Sequence, residues 1–130
     1  MKERALVTGA GGFIGHHLVK YLKDRDYWVR GADIKPPEYE PSSADEFQIL
    51  DLRRRDECLV VTHDIDLVFH LAADMGGIGF ITAFHTDISS NNILINAHML
   101  EASQINGVKQ FLFSSSACIY PQYLQNDADV

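Results

Sequence analysis

Cysteine is scarce in this chain: only Cys58 and Cys118 occur in 130 residues, at no paired or metal-type spacing. That excludes a disulfide framework and suits a reducing compartment. Long apolar runs are absent too. None approaches the roughly 18 residues of a membrane span, and no basic stretch leads into an apolar segment at the N-terminus, so no signal peptide is expected. Basic residues are in the minority, with eleven Lys and Arg against eighteen Asp and Glu for a formal charge of −7. A general nucleic-acid or anionic-membrane surface would need a basic patch that this balance does not supply. Anion binding survives the deficit, because amides at a helix start hold phosphate without side-chain charge. Arg53-Arg54-Arg55 is flanked by Asp51, Asp56 and Glu57 and reads as a solvated helix face. The six histidines show no metal-ligand spacing, and His16 and His17, adjacent on a helix, point about 100° apart. No metal site, nucleic acid or membrane partner is expected, and a cytoplasmic location is. Repeats and low-complexity tracts are missing as well.

What is present alternates between two periods. A short apolar run opens at Ala5, and apolar residues from Phe13 to about Lys23 recur at helical spacing. Tyr27–Asp33 reads as a second strand. The segment from Ile34 to Asp45, with Pro36, Pro37 and Pro41, reads as a surface loop. Glu46–Asp51 is a third strand, Arg53–Val61 a short helix or turn, and Asp66–Ala73 a fourth strand. A glycine-rich loop from Asp74 to about Phe84 leads to the longest helix, Ile88–Ile105; Gly107 ends it, and Lys109–Ser114 is a fifth strand. Such alternation predicts an α/β fold, a Rossmann-like doubly wound parallel sheet of about five strands in order 3-2-1-4-5. One domain spans residues 1–130. A nucleotide would lie across the carboxyl ends of strands 1 and 4, where the order reverses.

Glycines at 9, 12 and 15 fall where the first strand turns into the first helix. Gly9 permits the turn, Gly12 lets backbone approach a pyrophosphate, and Gly15 allows close helix–strand packing. Gly11, Gly12, Phe13, Ile14 and Gly15 place the helix start, with its free amides, against the ligand. Asp33, eighteen residues after Gly15, is the expected partner of the adenosine ribose, and its charge favours NAD over NADP. A solvated strand-end aspartate is the plainer alternative. Asp51-Leu52 fits a pair flanking the adenine, or Asp51 is a helix cap. His70, inside an apolar strand, is a core or near-cofactor residue.

The glycine spacing, Asp33, Leu71-Ala72-Ala73 and a Ser-Ser-x-x-x-Tyr segment together resemble the extended short-chain dehydrogenase/reductases, which act on nucleotide sugars. Leu71–Ile81, reading LAADMGGIGFI, and Ser115–Pro121, reading SSACIYP, resemble the GDP-mannose 3,5-epimerase family in particular. The resemblance implies NAD as cofactor and a GDP-sugar substrate, oxidised transiently at C4 so that the protons at C3 and C5 become acidic. It implies that Leu71, Ala72 and Ala73 border the cofactor and that Gly76, Ser116, Ala117 and Cys118 meet the sugar. Ser116 would polarise the C4 oxygen, and Cys118 would serve as one of two acid/base groups. A thiol with a reference pKa of about 8.5 can take and return a proton near neutrality after modest tuning. The bland readings are a turn hydroxyl for Ser116 and a small buried hydrophobe for Cys118.

The resemblance also calls for a Tyr-x-x-x-Lys pair, and no tyrosine here has a lysine four positions on. The expectation is therefore an N-terminal part of an epimerase that binds NAD without turnover. Alternatives are another nucleotide-sugar 4-epimerase or dehydratase, or a non-catalytic NAD-binding module. The apolar residues of Ile88–Ile105 spread over more than one face. Related enzymes dimerise through a bundle that includes this helix, so the resemblance implies a homodimer; the plainer alternative is that a C-terminal half covers that face.

Overall fold

The computed structural model describes residues 2–38, 40–72 and 85–114, with side chains in the helix that begins at 85 described from residue 90 onward. In chain order the elements are β1 (Arg4–Thr8), α1 (Phe13–Asp24), β2 (Trp28–Asp33), β3 (Glu46–Ile49), α2 (Arg55–Val61), β4 (Leu67–His70), α3 (His85–Ile105) and β5 (Gln110–Phe113). The five strands form one sheet in the order β3-β2-β1-β4-β5, and every neighbouring pair is parallel. The expected topology is the observed one.

Strand alternation assigns each face its helices. Ala5 and Val7 of β1 and Val29 of β2 pack with Ala10, Val19 and Leu22 beneath α1. Leu6, Ala32 and Val68 point the other way, into a core with Cys58 and Val61 of α2 and Ile95, Met99 and Ala102 of α3. The central strands are buried on both faces and so read as continuous apolar runs in sequence. Inside the second core Arg30, on β2, is held by its neighbours' backbone. Its guanidinium donates to Val61 O and His63 O, each at 2.8 Å, at the end of α2 where carbonyls lack intrahelical donors. Cys58 is buried there too, its thiol donating to Leu52 O at 3.1 Å, and burial pushes its pKa up to about 12. This cysteine is an inert packing residue.

β2 to β5 run up to three residues short of the expected bounds, whereas β1 begins one residue earlier, at Arg4. β3 stops at Ile49, although Leu50 N still donates to Asp33 O at 3.0 Å, and β4 stops at His70. The ladder ends at the carboxyl side of the sheet, where the cleft described next lies.

The loop from 34 to 45 is fastened at its middle and at its end. Asp45 accepts from Val29 N and from Lys23 Nζ, while Glu40 reaches the buried His16 at 2.8 Å and pairs with Lys20. The lysine first, then the histidine, holds the Glu40 carboxyl down at about 2.

Candidate cofactor site

The site is built at the carboxyl ends of β1, β2 and β4. Thr8 closes β1, and Gly9 follows with φ +72°, a left-handed conformation that side chains rarely adopt. A Cβ on Gly9 would also stand 3.0 Å from Leu71 C and Ala72 N, so the chain after β1 and the chain after β4 touch. Gly15 lies directly on that turn: a Cβ there would come within 2.2 Å of Gly9 O. At Gly11 a Cβ would meet Lys35 O at 2.6 Å and Asp33 Oδ2 at 2.9 Å. Three of the four glycines are thus required by the protein's own backbone.

Gly12 is different. Its φ of −81° and ψ of 173° suit any residue, and among the described residues a Cβ would meet only Gly9 O, at an ordinary 3.4 Å. Gly12 is nonetheless the residue that opens α1, a helix with no side-chain cap. First-turn amides have no acceptor within their own helix. A cradle of bare backbone at an uncapped helix start fits a pyrophosphate, whose oxygens would take those donors.

Asp33 ends β2 beside this turn. Its Oδ2 accepts from Gly11 N at 2.8 Å, and its Oδ1 accepts from Ile34 N at 2.6 Å and Lys35 N at 3.4 Å. The carboxylate therefore ties the glycine turn to the end of β2 before any ligand arrives. About four lone-pair directions are available to a carboxylate, so Oδ2 keeps one for a hydroxyl.

A cleft of about 530 Å³ joins these parts, lined by Gly9, Gly12, Asp33, Asp51, Leu52, Leu71 and Ala72 among the residues expected from sequence. Gly11 lines an adjoining hollow of about 340 Å³ between α1 and the 34–45 loop, together with Phe13 and His16. Phe13 and Ile14, at the head of α1, are exposed, and Gly15 is buried under it. Asp51 does not cap α2, whose N-cap is Arg54. It binds Arg53 instead, through the backbone N–H at 2.9 Å and the guanidinium at 2.8 Å, and that pairing holds its carboxyl below the usual range against the opposing effect of burial. Ala73, Gly76, Ser116, Ala117 and Cys118 lie outside the described residues. Among the described residues no three His, Cys, Asp or Glu side chains gather as a metal site, and no helix is long and apolar enough to cross a membrane.

Sequence reasoning missed Lys35, Leu50, Arg53, Asn91 and Ile95, which also line the cleft. Lys35 and Arg53 each stand two residues after an aspartate that ends an apolar run, a spacing that places them on the same rim. Asn91 and Ile95, one turn apart on α3, come to the cleft only because α3 packs beside β4, which no local pattern announces.

These features define a dinucleotide-binding domain at the switch point of a doubly wound sheet. The model of the NAD dependent epimerase/dehydratase family matches residues 5–130, and the chain belongs to that family. It is 49% identical over 131 aligned residues to GDP-mannose 3,5-epimerase 1 of Oryza sativa subsp. indica, covering 99% of this chain and 35% of the rice protein. The chain thus spans about a third of the length of that curated relative. Among solved structures it is similar to UDP-glucose 4-epimerase of Thermotoga maritima with UDP-glucose, at 30% identity and a TM-score of 0.78 over 87% of this chain and 38% of that one. It is similar also to a short-chain dehydrogenase/reductase of Agrobacterium tumefaciens with bound NAD, at 27% identity and a TM-score of 0.77, covering 92% of this chain and 34% of that one.

Proposed function

We propose that residues 1–130 are the NAD-binding domain of a nucleotide-sugar epimerase, with a GDP-hexose of the mannose type as substrate. The observation that carries the cofactor reading is Gly12, a glycine the protein's own packing does not require, set at an uncapped helix start. In this reading the amides of Phe13 and Ile14 hold the pyrophosphate, Asp33 Oδ2 accepts from the adenosine ribose, and Asp51 and Leu52 border the adenine. Leu71 and Ala72 border the nicotinamide half. When bound, NAD supplies a reversible hydride acceptor for one carbinol of the sugar. A phosphate on the ribose would be repelled by Asp33, so NAD is preferred over NADP. The cofactor-bearing relative from Agrobacterium supports the same choice.

The substrate reading rests on the 49% identity to the rice epimerase. Ser116 is assigned to the sugar C4 oxygen and Cys118 to proton exchange, with Ala73, Gly76 and Ala117 beside them. Cofactor binding is proposed of these residues by themselves, and epimerisation of a protein with its relatives' full length. The protein works as a cytoplasmic homodimer in this reading. Ile93, Leu94, Leu100 and Ile105, all exposed along α3, are the surface offered for the second copy.

Calorimetric titration of the chain with NAD tests the first part. Saturable binding, weaker by at least about tenfold for NADP, is the expected result, and absence of NAD binding defeats it. A 4-epimerase is the second reading, favoured by the match to the Thermotoga structure. It needs no acid/base at Cys118, so in a full-length protein Cys118→Ala would leave solvent deuterium exchange into the sugar unchanged if that reading holds. It would abolish exchange if the 3,5-epimerase reading holds.

A further inference from the structure

Past Thr8 and His70, paired across β1 and β4, the strand ladder ends, yet the chain after β4 is still held. Leu71 N and Ala72 N both donate to Thr8 Oγ1, at 3.0 and 3.1 Å. A hydroxyl has two lone pairs and one proton. The two amides occupy the lone pairs, so the proton must be donated, and its partner is His70 Nδ1 at 2.7 Å. Nδ1 must then be an acceptor, which puts the ring proton on Nε2. Nε2 faces Asn96 Oδ1 at 2.9 Å, an acceptor, so every atom in the chain of bonds has one consistent role. Thr8 and His70 are at most 1% exposed, where an unmatched polar atom is costly.

We propose that Asn96, His70 and Thr8 form a positioning relay: Asn96 on α3 fixes the orientation and tautomer of His70, His70 directs the Thr8 hydroxyl, and that hydroxyl sets the Leu71 and Ala72 amides that border the cofactor cleft. The relay extends the β1–β4 pairing two residues past the ladder, to the place where the sheet's order reverses. It also joins α3, the helix that supplies Asn91 and Ile95 to the cleft, to the opposite wall at Gly9. None of the three acts on the sugar or cofactor by itself; their effect is to hold backbone. The functional half of this proposal rests on the cofactor reading above.

Nitrogen-15 spectroscopy of the imidazole in the intact chain tests the relay directly. The expected state at neutral pH is a neutral His70 ring protonated on Nε2. Thr8→Ser keeps the hydroxyl and is expected to hold NAD within about threefold of the parent, whereas Thr8→Val keeps the shape and loses about tenfold. In Thr8→Val the Leu71 and Ala72 amides should exchange with solvent at least about tenfold faster, and Asn96→Leu should speed the same amides. A His70 ring protonated on Nδ1 overturns the relay, and so do wild-type exchange rates in Thr8→Val. Should Thr8→Val fail to fold, the parent's ring state and Asn96→Leu decide the matter, unchanged amide rates in Asn96→Leu counting against it. If the parent binds no NAD, the cofactor reading falls, while ring state and amide exchange still decide whether the relay exists.

Discussion

Replacing Gly12 by alanine should separate cofactor binding from folding. The backbone at Gly12 lies in an extended region open to alanine, and the new methyl would sit 3.4 Å from Gly9 O, an ordinary contact. Two effects on stability oppose each other. Alanine is a poorer N-cap than glycine, at roughly 0.5–1 kcal/mol, and it removes about 0.4–1 kcal/mol of unfolded-state freedom. The net change should stay within about 1 kcal/mol in urea denaturation. Binding should respond differently. A pyrophosphate oxygen must approach the helix-start amides to about 2.7–2.9 Å for charge-assisted bonds, and a methyl on Gly12 obstructs that approach. Losing one or two such bonds, at about 1.5–3 kcal/mol each, raises the NAD dissociation constant by about tenfold or more. Gly15→Ala is the contrasting control: its methyl would overlap Gly9 O at 2.2 Å, so it should cost about 3 kcal/mol or more before any ligand is added. Calorimetry with NAD alongside urea denaturation reads both quantities on the same samples. Unchanged NAD affinity in Gly12→Ala, or a loss of stability comparable with Gly15→Ala, would refute the reasoning.

Asp33→Asn keeps the shape but loses charge-assisted bonds to Gly11 N and Ile34 N, so urea stability should fall by about 1–2 kcal/mol and the preference for NAD over NADP should shrink, read as a ratio of dissociation constants. Burial lowers the His70 pKa below its ordinary value of 6.5; the unfolded chain then binds the proton more readily, so the stability this residue confers is complete above about pH 6.5 and is lost as pH falls toward the lowered folded value. Urea midpoints between pH 7.5 and 5 should decline accordingly, and a His70→Gln variant should show a shallower decline. Arg30→Met should cost about 2–4 kcal/mol by the same measurement, because it leaves the Val61 and His63 carbonyls at the end of α2 without their buried donor. Sedimentation at increasing concentration should show a reversible dimer that Ile93→Glu weakens by at least about tenfold, and a monomer at all concentrations would remove α3 as the interface.

The parts of this domain that could be read from sequence are those whose cause is local. Leu6 and Val7 are apolar because β1 is buried on both faces, Gly9 is called for by its own left-handed backbone, and Gly15 by the Gly9 carbonyl six residues back. The strand order was legible because a parallel sheet with right-handed crossovers admits few arrangements once a glycine turn marks its first strand. What escaped depends on neighbours distant in sequence. Asp51 looks equally like a helix cap or a site residue until Arg53 is seen to occupy it, with the cap position three residues further on at Arg54. Asn91 and Ile95 carry no signal at all, since their place at the cleft follows from α3 crossing beside β4. Thr8 shows the limit most sharply. In sequence it is the last letter of an apolar run, and its hydroxyl gains meaning only when residues 62 to 64 positions away bring an imidazole and two amides to it. A polar side chain at the end of a buried strand, directly before a left-handed glycine, has no water to satisfy it. Such a residue must find partners on the adjacent strand, and at a switch point that requirement makes it part of the cleft's architecture.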